Sequence, residues 1–288
     1  MVGHVAKGPS GSALRWSWLH VAALAAALQI VPLYPSSAAT PEAEETWTSL
    51  AAEIFKGRPL ADGTGLVGIE MPARAEDAAI VPVTLRVTLP PGDGRRLNKL
   101  TLVIDENPAP LAATFEFGDQ AGVSMISTRV RVNSYTNVHA IAELSDGMLY
   151  VVKTFVKASG GCSAPAAKNV DEAIASLGQM RLRVFGKQSA QGISLPREAQ
   201  VMIRHPNNSG LQRDQITLLY IPAHFVDELT VFQGDALVFR LKGGISISED
   251  PNFRFNYIPN GAANFRVEAS DTAGKVFRRE FPTDQLGL

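Results

Sequence analysis

A mainly β protein, built as two Ig-like antiparallel β-sandwich domains in one chain, is predicted by three observations. Apolar and polar residues alternate with a period of two in run after run, Gly, Pro, Asn and Asp punctuate the runs at short intervals, and a stretch of small residues divides them into two sets. The chain has 288 residues, 45% of them hydrophobic, enough for two small cores. Its 27 basic and 28 acidic residues leave a net charge of −1, so no global field would hold a nucleic acid or an anionic membrane.

Residues 1–39 read as a cleaved signal peptide. Lys7 and Arg15 supply a positive start, Val21 to Val31 an apolar stretch too short to span a bilayer, and Ser37-Ala38-Ala39 small residues for cleavage. The expectation is export to the periplasm, with no membrane anchor after cleavage.

Glu42 to Lys56 places Trp47, Leu50, Ala51, Ile54 and Phe55 at spacings of three and four, a short N-terminal helix stopped by Gly57-Arg58-Pro59. From Gly65 the period becomes two. Strands are expected at Val81 to Leu89, Lys99 to Ile104, Ala112 to Phe117, Ser127 to Val132, Val138 to Leu144 and Met148 to Val156. The run Lys157 to Asn169 has no large apolar side chain to bury, and reads as a flexible, exposed loop.

Asn169 to Gly178 reads as a short capped helix. The second set of strands is expected at Met180 to Phe185, Glu198 to Arg204, Gln215 to Tyr220, Val226 to Gln233, Ala236 to Lys242, Asn252 to Asn256, Asn264 to Ser270 and Lys275 to Phe281. The predicted division is 1–39 leader, 40–157 first sandwich, 158–178 cysteine loop and linker, and 179–288 second sandwich.

Cys162 is the only cysteine, so no intramolecular disulfide can form. A lone cysteine is ordinarily a small buried hydrophobe. Here Gly160, Gly161 and Ser163 around it imply flexibility and exposure instead. A catalytic nucleophile would need a rigid frame and a base, which such a loop does not supply. The remaining reading is a swinging thiol that holds a covalent intermediate and presents it to other proteins, with Lys157 and Lys168 modestly favouring a thiolate or an anionic adduct. Anchored at Lys157 and Asn169, the loop would project the thiol by roughly 17 Å at most. His139, His205 and His224 lie at no metal-ligand spacing and are read as structural. Neither a phosphate loop nor a haem or metal motif indicates a tightly bound cofactor.

Several segments resemble the sulfur-oxidation carrier SoxYZ. On the SoxY side these are Ala79-Ile80-Val81-Pro82-Val83, Glu106-Asn107-Pro108-Ala109-Pro110, Ser127 to Arg131, Val138 to Glu143 and Gly160-Gly161-Cys162. On the SoxZ side they are His205-Pro206, Ser209-Gly210-Leu211, Ile221 to Val226 and Ser248 to Phe255. The fused build is similar to the quinoprotein dehydrogenase-associated SoxYZ-like carriers. The resemblance implies a periplasmic, non-catalytic carrier of thiosulfate-derived or related sulfur adducts on an exposed Cys162, with a SoxZ-like half docked on the SoxY-like half as scaffold. It implies as partners a haem-containing loading enzyme and a sulfate-releasing hydrolase. The chain departs from SoxY in that Ser163-Ala164 replaces the Gly-Gly after the cysteine and the chain continues. Two other readings stay open: a non-covalent accessory protein of a periplasmic quinoprotein (PQQ) alcohol dehydrogenase system with the cysteine incidental, and a redox module whose thiol forms an intermolecular disulfide.

Overall fold

The computed structural model describes residues 41–165, 170–186 and 195–285. The leader expected over 1–39, with Lys168 and Asn169, lies outside them. Helix α1 (Pro41–Phe55) forms where the apolar positions fall three and four apart. Its Trp47, Leu50, Ala51, Ile54 and Phe55 cover Val103, Ile141 and Leu149 of the sheet beneath.

The strands of the first half are β1 (Leu60–Asp62), β2 (Val67–Glu70), β3 (Val81–Val87), β4 (Leu97–Ile104), β5 (Leu111–Phe117), β6 (Met125–Val130), β7 (Thr136–Leu144) and β8 (Leu149–Val156). After α2 (Val170–Ser176) come β9 (Met180–Phe185), β10 (Arg197–Ile203), β11 (Val226–Gln233), β12 (Ala236–Gly243), β13 (Asn252–Tyr257), β14 (Asn264–Asp271) and β15 (Val276–Pro282). Alternation becomes burial directly. In β3, Val81, Val83, Leu85 and Val87 face the core while Pro82 and Arg86 face solvent.

The strands form two stacked sheets, one in the order β1-β8-β7-β4-β5-β12-β11-β14-β15 and the other β2-β3-β6-β13-β10-β9. Except for the parallel pair β1–β8, the pairings between these strands are antiparallel. The two sandwiches are continuous with each other. β5 pairs with β12 from Ala113 opposite Gly243 to Phe117 opposite Phe239, and β6 pairs with β13 at Ser127–Arg254 and Ile126–Phe255. Beneath this seam Phe115, Phe239, Phe253 and Phe255 meet edge to face, ring centres 5.0 to 6.3 Å apart. The halves expected to dock on each other are joined by shared sheets and one hydrophobic core.

One expected strand does not form. Gln215 to Tyr220 is a turn, because the Asp214 carboxylate accepts hydrogen bonds from the Ile216 and Thr217 amides at 3.0 and 2.7 Å and reverses the chain. Its apolar side chains consequently face solvent, Ile216 at 92% and Leu219 at 70% exposure. Among the described residues no helix is long and apolar enough to cross a membrane.

Candidate functional site

Cys162 lies shortly after the end of β8, and the segment that carries it is held rather than free. Lys157 pairs with the strand-like stretch at Arg74: its amide donates to the Ala73 carbonyl at 3.0 Å and its carbonyl accepts from the Ala75 amide at 3.0 Å. The Gly160 and Gly161 amides then donate to the carbonyls of Asn133 and Val132, at 2.8 and 3.1 Å. The Ser163 amide closes a tight turn onto the Gly160 carbonyl at 3.2 Å.

The two glycines are used for different reasons, and neither confers flexibility. Gly160 has φ of +77°, a left-handed conformation that a side chain would strain. At Gly161 an added Cβ would fall 2.0 Å from the Ala78 carbonyl oxygen and 2.6 Å from that of Val132. The Gly-Gly pair thus permits the backbone to lie flush against the sandwich.

The lid comes from the other half. Ser209 donates its hydroxyl to the Cys162 carbonyl, and Gln212 donates its side-chain amide to the Ala164 carbonyl at 3.0 Å. Gln212 also accepts from the Ser209 amide at 3.0 Å, so the two lid residues brace each other. As a result Cys162 is 0% exposed, as are Asn207 and Gln212. This corrects the expectation of an exposed cysteine and of a projecting, mobile arm.

Burial shapes the chemistry of the thiol. It pushes the Cys162 pKa up to about 11 from an ordinary 9.0, against the pull of the nearby Arg131 guanidinium. Arg131 is the cation that acts on the thiol, and it too is buried, at 1% exposure. It donates from Nη1 to the Gly161 carbonyl and from Nη2 to the Asn207 carbonyl, both at 3.3 Å. Its backbone is pinned as well, its amide to the Ser246 carbonyl at 2.7 Å and its carbonyl by the Asn107 side-chain amide at 2.7 Å. The stretch Ser127 to Arg131 carries part of the SoxY resemblance, but its alternation reads as ordinary strand and does not single out Arg131.

The histidines are brought together in a way their spacing does not show. His205 and His224 both contact Oδ2 of Asp271, at 3.4 and 2.8 Å. Burial, then the neighbouring His224, hold the His205 pKa below its ordinary value. Burial acts to raise Asp271, but hydrogen bonds from His224, the Lys275 amide and His205 outweigh it and keep the carboxylate below its usual range. The three donor atoms lie close enough to hold a metal ion, within 4.8 Å of one another. The tautomer argues otherwise: Nδ1 of His205 accepts from the Asn207 amide at 3.0 Å, so Nε2 carries the proton, and a metal there would require an imidazolate. The trio is a hydrogen-bonded clamp at the base of the lid, since Asn208 and His224 also exchange backbone hydrogen bonds at 2.8 and 3.0 Å. His139 lies elsewhere, paired with Asp105 at 3.0 Å and stacked on Trp47 at 3.6 Å.

Beside the clamp, Ile174, Leu177, Pro206, Leu219, Tyr220 and His224 line an open pocket of about 430 Å³. The segment that covers the cysteine therefore also carries an exposed apolar tip.

Residues 51–162 match the family described as "Sulfur oxidation protein SoxY", and residues 187–282 match "Sulphur oxidation protein SoxZ". No curated protein matches the chain. Among solved structures, the sulfur carrier protein SoxY from Chlorobium limicola f thiosulfatophilum aligns at 22% identity and TM-score 0.32, covering 40% of this chain and 94% of that one. A variant of superoxide reductase (neelaredoxin) from Ignicoccus hospitalis aligns at 14% identity and TM-score 0.29, covering 32% of this chain and 78% of that one. A second variant of the same reductase aligns at 15% identity and TM-score 0.29, covering 38% of this chain and 90% of that one.

Proposed function

Since a single polypeptide here joins a SoxY domain to a SoxZ domain, a pairing of sulfur-oxidation carrier families, we propose that this protein carries sulfur intermediates covalently on Cys162 in the periplasm. The observation that carries the reading is positional. The SoxY match ends on residue 162, the chain's only cysteine, and that residue is buried where Ser209 of the second half caps its carbonyl.

Loading would join the thiol to thiosulfate with loss of one proton and two electrons, Cys–SH + S₂O₃²⁻ → Cys–S–S–SO₃⁻ + H⁺ + 2e⁻, the electrons passing to a haem-containing partner. Hydrolysis by a second partner would then release sulfate, Cys–S–S–SO₃⁻ + H₂O → Cys–S–S⁻ + SO₄²⁻ + 2H⁺. The catalytic groups for both steps belong to those partners. With a thiol pKa near 11, only about one thiol in ten thousand is ionised at pH 7. Loading consequently requires the Ser209–Gln212 lid to open, so that solvation returns the thiol toward its ordinary acidity. The closed form is the sheltered one, in which oxidants and stray thiols cannot reach the sulfur.

A second reading has one observation in its favour. A fully buried cysteine is what an incidental core residue shows, as expected if the protein is a non-covalent accessory of a quinoprotein dehydrogenase system. Intact mass separates the two. Protein purified without reductant from the periplasm of its own host, beside Cys162→Ser, should show a reductant-removable excess matching sulfur, sulfite or thiosulfonate on the wild type only. An unmodified thiol under every growth condition, with an active Cys162→Ser strain, would establish the accessory role.

A further inference from the structure

Arg131 is a buried cation that no carboxylate contacts directly among the described residues. It is 1% exposed and, among the described residues, forms no ion pair; its Nε is a buried donor without a partner. The carboxylates of Glu249 and Asp77 act on it only through the field, together with Cys162. A buried guanidinium answered only by carbonyls is costly to maintain, and an orphaned donor beside it adds to that cost. The arrangement suits an anion delivered beside Cys162.

We propose that Arg131 is the binding group for an anionic sulfur adduct on Cys162, its guanidinium receiving the terminal charge of a thiosulfonate or persulfide. The proposal rests on the carrier reading and adds the recognition element to it. Three features support the placement. The guanidinium is fixed one residue from Cys162 through the Gly161 carbonyl, it acts electrostatically on the thiol, and its second anchor, the Asn207 carbonyl, belongs to the lid half. An adduct needs room, which displacement of Ser209 and Gln212 supplies while β6 and Asn107 keep the Arg131 backbone in place. A planar fork with donors to spare matches a sulfonate better than an ammonium would. A neutral thiol offers the guanidinium no direct anionic partner, whereas the loaded form brings one to it.

The test needs no partner enzyme. The chain is loaded in urea with tetrathionate, Cys–S⁻ + S₄O₆²⁻ → Cys–S–S–SO₃⁻ + S₂O₃²⁻, then refolded and melted. The comparison form carries a neutral methylthio group from methyl methanethiosulfonate, Cys–S⁻ + CH₃SO₂SCH₃ → Cys–S–S–CH₃ + CH₃SO₂⁻. In the wild type the thiosulfonate form should melt about 5 °C above the methylthio form. That advantage should vanish in Arg131→Met and persist in part in Arg131→Lys. A wild-type thiosulfonate form that melts no higher than the methylthio form, or that alone fails to refold, overturns the proposal, as does an undiminished advantage in Arg131→Met. Should Arg131→Met not fold, the wild-type pair and Arg131→Lys decide. Either result is independent of whether protein from the host carries an adduct, so the two readings fail separately.

Discussion

The hydroxyl of Ser209 donates to the carbonyl oxygen of Cys162, which places a residue of the second half, 47 positions along the chain, directly on the cysteine segment of the first. Access to the sulfur is therefore governed by the partner domain. Joining the halves in one chain keeps that lid present in every molecule.

If the lid shelters the sulfur, native Cys162 should react with iodoacetamide far more slowly than the unfolded chain does. Ser209→Ala removes one hydrogen bond of about 1 kcal/mol and should raise the opening rate about fivefold. Labelling followed by mass spectrometry measures both. Wild-type protein alkylated as fast as a free thiol would contradict the closed site.

The thiol also makes stability depend on pH. Its folded pKa, about 11, lies above the ordinary 9.0, so the folded state favours the protonated form. The contribution is fully present below pH 9 and is lost as pH rises from 9 to 11. The loss should reach about 2–3 kcal/mol relative to Cys162→Ser, whose hydroxyl does not ionise in this range. Urea midpoints of the two proteins, measured across that window, should diverge; parallel curves would sink the assignment.

Gly161→Ala tests whether the Gly-Gly pair packs or flexes. A Cβ 2.0 Å from the Ala78 carbonyl oxygen cannot be absorbed without moving backbone, so the substitution should cost about 2 kcal/mol or more and speed labelling of Cys162. A mobile arm would tolerate it without change in either quantity.

Because the two halves share both sheets, they should unfold as one unit. In a chain lacking residues 1–39, Trp47 is the only tryptophan and reports on the first half. Phe265→Ala, a fully buried ring of the second half, should lower the stability read at Trp47 by about 3–5 kcal/mol. A Trp47 transition that ignores Phe265 would mean independent domains.

The His205–Asp271–His224 trio gives a further check. If the proton on His205 Nε2 serves the Asp271 carboxylate, added Zn²⁺ or chelator should leave Tm unchanged, while Asp271→Asn should lower stability by about 2 kcal/mol. A rise in Tm with Zn²⁺ would make the trio a metal centre.

Much of the architecture is legible in the residues themselves. Strands such as β3 and β9 announce themselves because a half-buried strand must alternate, and turn residues such as Ser145-Asp146-Gly147 mark where β7 gives way to β8. Gln215 to Tyr220 misled because its apolar residues imitate a strand, whereas Asp214 turns the chain through side-chain hydrogen bonds that no periodicity reveals. His205, His224 and Asp271 are up to 66 residues apart, so only folding brings them together.

The sequence by itself determined two sets of alternating strands, the single cysteine and the small residues around it. Tertiary structure alone decided what those small residues are for. Missing side chains leave a backbone equally free to wave in solvent or to lie against another backbone. Which of these occurs at Gly160, Gly161 and Cys162 depends on the carbonyls of Ala78, Val132 and Asn133, the guanidinium of Arg131 and the hydroxyl of Ser209, all of which reach the cysteine only when the sheets have paired.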